Sequence, residues 1–185
     1  MTDIKEYKTI RTAKARTEPS AEPSLLQELM FLFAKTAAII FVFVLIFTFM
    51  FGLCRYPDAS MVPAVKDGDL VMFYRLDKEY VAQDTLVLEF EGQKQVRRVV
   101  AVAGDTVDIT EEGLLVNGAL QQEKEIYMAT ERYEEGVEFP YIVGEGEVFV
   151  LGDRRENASD SRIYGAVKNK DTLGEVMLIL RWRNV

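Results

Sequence analysis

Three stretches of this sequence carry the residue types from which hydrolytic chemistry is built. Ser60 lies in "DASMVP" (58–63), a few residues beyond a long apolar run. Arg97 and Arg98 stand at the head of the strand-like "VRRVVAVAGD" (96–105). The stretch "GDRRENASDSRIYG" (152–165) packs charges and hydroxyls behind the apolar "EVFVL" (147–151). A nucleophilic serine next to a membrane span would meet only substrates that emerge from the bilayer. In a polar "PDAS" cluster the same serine also reads as a turn residue. Asp153 and Asp160 can pair with Arg155 and Arg162 and orient one another inside a buried loop. On an exposed turn those pairs would be solvated and worth little.

What chemistry such a serine could perform is narrowed by composition. The chain has no histidine and one cysteine, Cys54. Serine–histidine–aspartate and cysteine–histidine mechanisms are therefore excluded, and too few soft ligands remain for zinc. No metal and no cofactor is expected. A lone cysteine also excludes an intrachain disulfide. A net charge of −8 argues against a nucleic-acid partner, which needs a basic footprint.

The elements that must position these residues begin with a membrane span. Between Lys35 and Arg55 runs "TAAIIFVFVLIFTFMFGLC", without a charge. At ~1.5 Å per residue it reaches roughly 28 Å, the thickness of a hydrocarbon core. The rival, a cleaved signal peptide, fits less well, because the run starts late and no small-x-small site follows it. Bulky Leu53 before Cys54 also argues against lipid attachment, leaving Cys54 as an interfacial apolar residue. The expected organisation is a cytoplasmic tail and lead-in over 1–29, a transmembrane helix over 30–54 and an extracytoplasmic β domain over 55–185. Lys5, Lys8, Arg11, Lys14, Arg16 and Lys35 precede the span and Arg55 alone follows it closely, which places the N-terminus in the cytoplasm. "RTEPSAEPS" (16–24) reads as flexible, and Ser24 as the cap of the helix lead-in.

Beyond Arg55 short β-like runs follow at 70–74, 85–91, 96–102, 106–109, 114–116, 139–143, 147–151 and 175–183. "EGQK" (91–94) and "NG" (117–118) read as hairpin turns. The acidic "QQEKEIYMATERYEEG" (121–136) reads as an irregular excursion or a short helix. The fold class is mainly β on a single N-terminal transmembrane helix.

In order, "SMVPAVKDGD" (60–69), "QDTLVL" (83–88), "RRVVAVAGDTV" (97–107) and "GDRRENASDSRIYG" (152–165) resemble the successive boxes of bacterial type I signal peptidases. That resemblance covers most of residues 30–183. It implies a β-rich domain at the outer membrane surface that cleaves exported precursors after small residues. In that family a serine attacks the scissile carbonyl and a neutral, buried lysine takes its proton. Ser60 stands at the nucleophile position, followed by Met61 and Pro63. Arg98, Val99, Gly104 and Asp105 match the lysine box; Gly152, Asp153, Arg155, Asp160, Ser161 and Arg162 match the last one.

The departures fall on the chemistry. Arg97 occupies the dyad-lysine position. Ala158 replaces the serine that supports the lysine, with Ser159 one place off. Asp58 stands at the oxyanion position, and Ala103 replaces a proline. Burial can lower a lysine pKa by ~3–5 units, but arginine stays charged in proteins. A carboxylate at position 58 would oppose charge developing on the substrate oxygen, where losing one donor costs about 10²–10³ in rate. An Arg97–Asp58 salt bridge would plug the site. Lys94 is an odd offset from Arg97 and points to the other face unless a bulge intervenes; Lys66 is a further substitute base.

Two readings follow. One is an active signal peptidase, a serine hydrolase using Ser60. The other, favoured by the departures, is a catalytically impaired pseudoenzyme. It resembles the signal-peptidase-like branch that accompanies sortases in Gram-positive pilus assembly, which implies exported precursors or pilin subunits, and a sortase, as its partners. Either way an extended peptide would be laid beside a strand.

Overall fold

The computed structural model describes residues 24–123, 126 and 128–181. The tail at 1–23 and residues 182–183 of the last expected strand lie outside the described residues. The chain divides into two units, Met1–Val42 and Phe43–Val185.

No glycine or proline interrupts Leu25–Met50, and the segment forms helix α1. Ser24 and Gln27 cap it reciprocally: Ser24 N donates to Gln27 Oε1 (3.0 Å) and Gln27 N to Ser24 Oγ (3.4 Å). With a mean hydropathy of 2.6 over its most apolar window, α1 is long and apolar enough to cross a membrane. Its limits correct the expected 30–54. The helix starts at Leu25 and stops at Met50, and Phe51–Arg55 is strand β1.

The remaining strands are β2 (Leu70–Tyr74), β3 (Thr85–Phe90), β4 (Gln93–Val102), β5 (Thr106–Thr110), β6 (Gly113–Val116), β7 (Ala119–Leu120), β8 (Tyr141–Ile142), β9 (Glu147–Leu151), β10 (Val167–Lys168) and β11 (Thr172–Leu180). A single helical turn, α2 (Ser161–Tyr164), lies between β9 and β10. Seven strands form one antiparallel sheet in the order β1-β2-β11-β3-β4-β9-β10, and four form a second, β7-β6-β5-β8. Both expected hairpin turns form. Glu91 and Gly92 (φ 52° and 76°) link β3 to β4, and Asn117 and Gly118 (φ 53° and 76°) link β6 to β7. The expected strand over 139–143 shrinks to two residues, since Pro140 has no amide for a ladder. The excursion after β7 is irregular wherever it is described.

β4 runs inside the large sheet, paired with β3 on one edge and β9 on the other. Val96 joins the core of Tyr56, Met61, Val71 and Phe73, whereas Val99 joins that of Leu86, Leu88 and Val150. A register shift between Val99 and Ala101 lets β4 then feed the core of the second sheet. Arg97 opposes Leu86 in this ladder, so its charge is held within the packed interior.

Candidate functional site

Ser60 lies on the connection between β1 and β2. Hydrogen bonds from Tyr56 N to Asp69 O (2.9 Å) and from Gly68 N to Tyr56 O (2.8 Å) close this connection at its base. Asp69 also accepts from Lys66 N (2.9 Å) and from Arg181 Nε (3.1 Å). The serine side of the turn packs inward: Ser60 is 4% exposed, and Met61 is fully buried. Pro63 is exposed at the far side of the turn.

Three side chains meet at the serine oxygen. Ser60 Oγ donates to Asp58 Oδ2 (2.5 Å), Arg97 Nη1 donates to Ser60 Oγ (2.7 Å), and the Tyr56 hydroxyl stands 2.8 Å from it. Asp58 reaches further, because its Oδ1 accepts from Ser60 N (3.0 Å) and its Oδ2 from the Tyr56 hydroxyl (3.2 Å). Arg97 Nη2 lies 3.8 Å from Asp58 Oδ2, an ion pair between a buried guanidinium and a carboxylate that is 45% exposed. The serine hydroxyl, its amide and the residue at the lysine position are thus all engaged within the chain. Lys94, the suggested substitute base, is exposed opposite Glu89 on the β3–β4 ladder. Lys66 is not among the partners of Ser60 Oγ.

The remaining bonds of Arg97 are to neutral groups. Its Nε and Nη2 donate to Ser159 O (2.9 and 2.8 Å), and its Nη1 to Val96 O (2.6 Å). Position 159 therefore acts through its carbonyl. Ala158 beside it is buried and contributes packing.

Electrostatics follow from these contacts. Burial opposes ionisation of Asp58. The hydroxyl and amide of Ser60 and the Arg97 charge outweigh it, so the carboxyl is held below its ordinary range. Burial is the first cause that pushes the Tyr56 phenol up to about 12; bonds to Ser60 and the charge of Arg97 counteract it in part. The folded state thus keeps this phenol protonated where the unfolded chain, near pH 10, begins to lose its proton. Tyr56 should contribute stability in full below about pH 10 and lose it as pH rises toward 12. Alkaline unfolding of the native protein should be steeper across that window than that of Tyr56→Phe.

The 152–162 loop supports the serine turn from behind. Arg154 N donates to Ser60 O (2.8 Å), and Asp153 N approaches Met61 Sδ (3.4 Å). Arg98 holds Asp153 with a two-pronged contact, Nε to Oδ1 (2.8 Å) and Nη2 to Oδ2 (2.7 Å). Asp160 and Arg162 form a buried pair in the same manner, at 2.9 Å for both bonds. Asp160 also accepts from Gly152 N (3.1 Å) and Arg162 N (3.1 Å), and the hydroxyl of Ser161 accepts from Val150 N (2.9 Å). Arg155 binds Glu123 through Nη1 and Nη2, and Thr130 through Nη1, so the loop is tied to the acidic excursion. Of the two readings of 152–165, buried loop or solvated turn, the buried loop is the observed one.

Gly152 is where the two loops touch. A Cβ there would lie 2.4 Å from Ala158 Cβ and 2.9 Å from Ser60 O, neither of which can move freely. Gly152→Ala should cost about 1–3 kcal/mol, as overpacking does, and lower the melting temperature by several degrees in a thermal scan.

The structure therefore brings Ser60, Asp58 and Arg97 into contact, with Arg98, Asp153, Asp160, Ser161 and Arg162 in the scaffold behind. Gly104 and Asp105 form the β4–β5 turn, where Asp105 accepts from Val102 N (2.9 Å). Tyr56 was not singled out in the sequence, where it simply follows Arg55 at the end of the apolar run. Its position four residues before the serine, within one closed turn, was the available signal. A cleft of about 710 Å³ lies elsewhere, between the 109–113 turn and the 129–132 segment.

The chain thus combines an apolar N-terminal helix with an antiparallel β domain that carries a buried serine on the connection between its first two strands. The profile of the family described as "Signal peptidase, peptidase S26" matches residues 18–182, and the chain belongs to that family. It is 31% identical over 131 residues to a signal peptidase I of Bacillus licheniformis, covering 64% of this chain and 69% of that protein. It is 29% identical over 154 residues to signal peptidase I P of Bacillus subtilis subsp. natto, covering 77% and 83%. A probable signal peptidase I-1 of Synechocystis is 26% identical over 138 residues, covering 66% and 68%. A solved signal peptidase I of Enterococcus faecalis V583 superposes with a TM-score of 0.45 at 24% identity, over 54% of this chain and 97% of that one.

Proposed function

We propose that this protein engages exported precursor proteins at the membrane surface and that its serine–lysine hydrolysis is impaired. The observation that carries this reading is Arg97, a buried guanidinium donating to Ser60 Oγ at 2.7 Å where the family's mechanism needs a neutral amine. A guanidinium does not surrender its proton in proteins, so it cannot serve as the base. Asp58 adds to the block by occupying the Ser60 amide, a natural donor to a substrate oxyanion. In this reading α1 spans the membrane with the N-terminus in the cytoplasm, and the β domain faces outward. Protease shaving of intact cells should then remove the β domain and spare the tail. The finer role is assistance to sortase-dependent pilus assembly, with pilin subunits bound as extended segments. Its support is the sequence resemblance alone, and crosslinking from the β domain to a sortase or pilin is its test.

A second reading, an active signal peptidase, is favoured by the 2.5 Å bond from Ser60 Oγ to Asp58 Oδ2, which gives the hydroxyl proton an acceptor. The peptidase names of its relatives support it equally. The purified full chain should be assayed on an Ala-x-Ala precursor peptide beside Ser60→Ala. Absence of turnover in both supports impairment, whereas turnover that vanishes with Ser60→Ala establishes the second reading.

A further inference from the structure

The groups around Asp58 form a receptor for a carboxylate. Its two oxygens take the Ser60 amide (3.0 Å), the Ser60 hydroxyl (2.5 Å) and the Tyr56 hydroxyl (3.2 Å), with Arg97 Nη2 at 3.8 Å. Three donors and one cation thus converge on one anion. Asp58 is nevertheless an imperfect occupant. Its pairing with Arg97 is longer than a hydrogen bond, although arginine and carboxylate ordinarily meet fork to fork at hydrogen-bond distance. Its side chain is 45% exposed, while that of Arg97 is 1% exposed. The guanidinium is fixed and enclosed; the carboxylate sits at the entrance.

We propose that this site takes the free C-terminal carboxylate of a peptide in exchange for Asp58. The proposal rests on the peptide-engaging reading above and names the part of the peptide that the site selects. Charge balance supplies the selection. Among the described residues, Arg97's other hydrogen-bond partners, Ser159 O, Val96 O, Ser60 Oγ and the Tyr56 hydroxyl, are uncharged. Were a neutral peptide carbonyl to displace Asp58, it would leave a buried cation without a counter-charge, which is strongly unfavourable. An incoming carboxylate preserves the pair and can reach Arg97 more closely than a side chain anchored two residues from Ser60. The site therefore discriminates a finished chain end from the same sequence continued through an amide bond. The ligand class is a peptide ending in a small residue with a free α-carboxylate, the kind of end that a proteolytic cut by another enzyme releases.

The test is binding to the full chain in detergent micelles. Three fluorescent probes are used: an Ala-x-Ala peptide as the free acid, the same peptide as the C-terminal amide, and a longer peptide in which that sequence is internal. The free acid should bind roughly ten- to a hundredfold more tightly than the amide, the worth of one charge-assisted contact. Asp58→Asn removes the internal competitor, leaves Arg97 unpaired before binding, and should tighten acid and amide alike while keeping the preference for the acid. Arg97→Gln should erase the preference, with a thermal melt confirming that the variant is folded. Equal binding of acid and amide, unchanged by Asp58→Asn, would overturn the proposal; if the internal peptide still binds, the engagement reading stands without it. Failure of all three probes would overturn both.

Discussion

Cleavage of an Ala-x-Ala precursor peptide should rise by at least about 10²-fold when Asp58→Ser and Arg97→Lys are introduced together. The size follows from what the pair removes: a positioned general base contributes about 10²–10⁴ in rate and one oxyanion donor about 10²–10³. Arg97→Lys alone should recover much less. A lysine nitrogen at this position would lie beside the Asp58 carboxylate, and an opposite charge within ~4–6 Å favours the ammonium form. With serine at 58, burial would dominate and push the lysine toward its neutral form. The Ser60 amide, now bonded to Asp58 Oδ1, would also be released. The double variant should accordingly gain rate with rising pH as the lysine loses its proton, and Ser60→Ala in that background should abolish it. A double variant that folds yet shows no turnover would place the defect in the shape of the cleft and not in these two residues.

Asp160→Ala should be the most destabilising single substitution considered, at about 3–5 kcal/mol, the cost of stranding one member of a buried ion pair. Arg162 would remain 1% exposed in its side chain without the carboxylate that now accepts from its Nε and Nη2. Gly152 N and Arg162 N would lose their acceptor as well. Among the described residues, Arg162 Nη1 and Nη2 would keep the carbonyls of Glu131 and Arg155, the Tyr133 hydroxyl and the face of the Tyr133 ring. Against a total stability of about 5–15 kcal/mol for a typical domain, such a loss should lower the melting temperature by ten degrees or more in micelles. Asp160→Asn should fall between the two, because it keeps the shape and one acceptor. A shift under two degrees for Asp160→Ala would show that water or a neighbour replaces the carboxylate.

Much of the architecture was legible because most strands are short and bounded. "LVMFY" and "EVFVL" became β2 and β9 at their expected limits. The end of the helix was not legible. Phe51, Gly52, Leu53 and Cys54 extend the apolar run without a polar residue, and a continuous apolar run does not distinguish helix from buried strand. What decides it is tertiary: these residues pair with β2, and a side chain on Gly52 would strike the ring of Phe73 at 2.1 Å. At the site, the resemblance raised an Arg97–Asp58 salt bridge without deciding it, and the loop of Asp160 and Arg162 read equally as buried or solvated. Residues two apart on a polar loop look the same whether solvated or enclosed. Glu123, the partner of Arg155, sits in an acidic run with nothing in the sequence to set it apart. The role of Ser159 was hidden for another reason: its backbone oxygen makes the contact, and a carbonyl has no residue type.

Two adjacent positions on β4 grip opposite ends of one loop. Arg98 holds Asp153, and Arg97 holds the carbonyl of Ser159. Opening the loop at either end must therefore break a contact to the same central strand, and the two openings become one event. Amide protons of Gly152, Arg154 and Arg162 should exchange with solvent deuterium together, at a rate close to that of β4 itself and slower than the excursion at 128–135. The loop behind the serine is in this sense part of the sheet's cooperative unit, and the shape it gives the site should persist for as long as the sheet does.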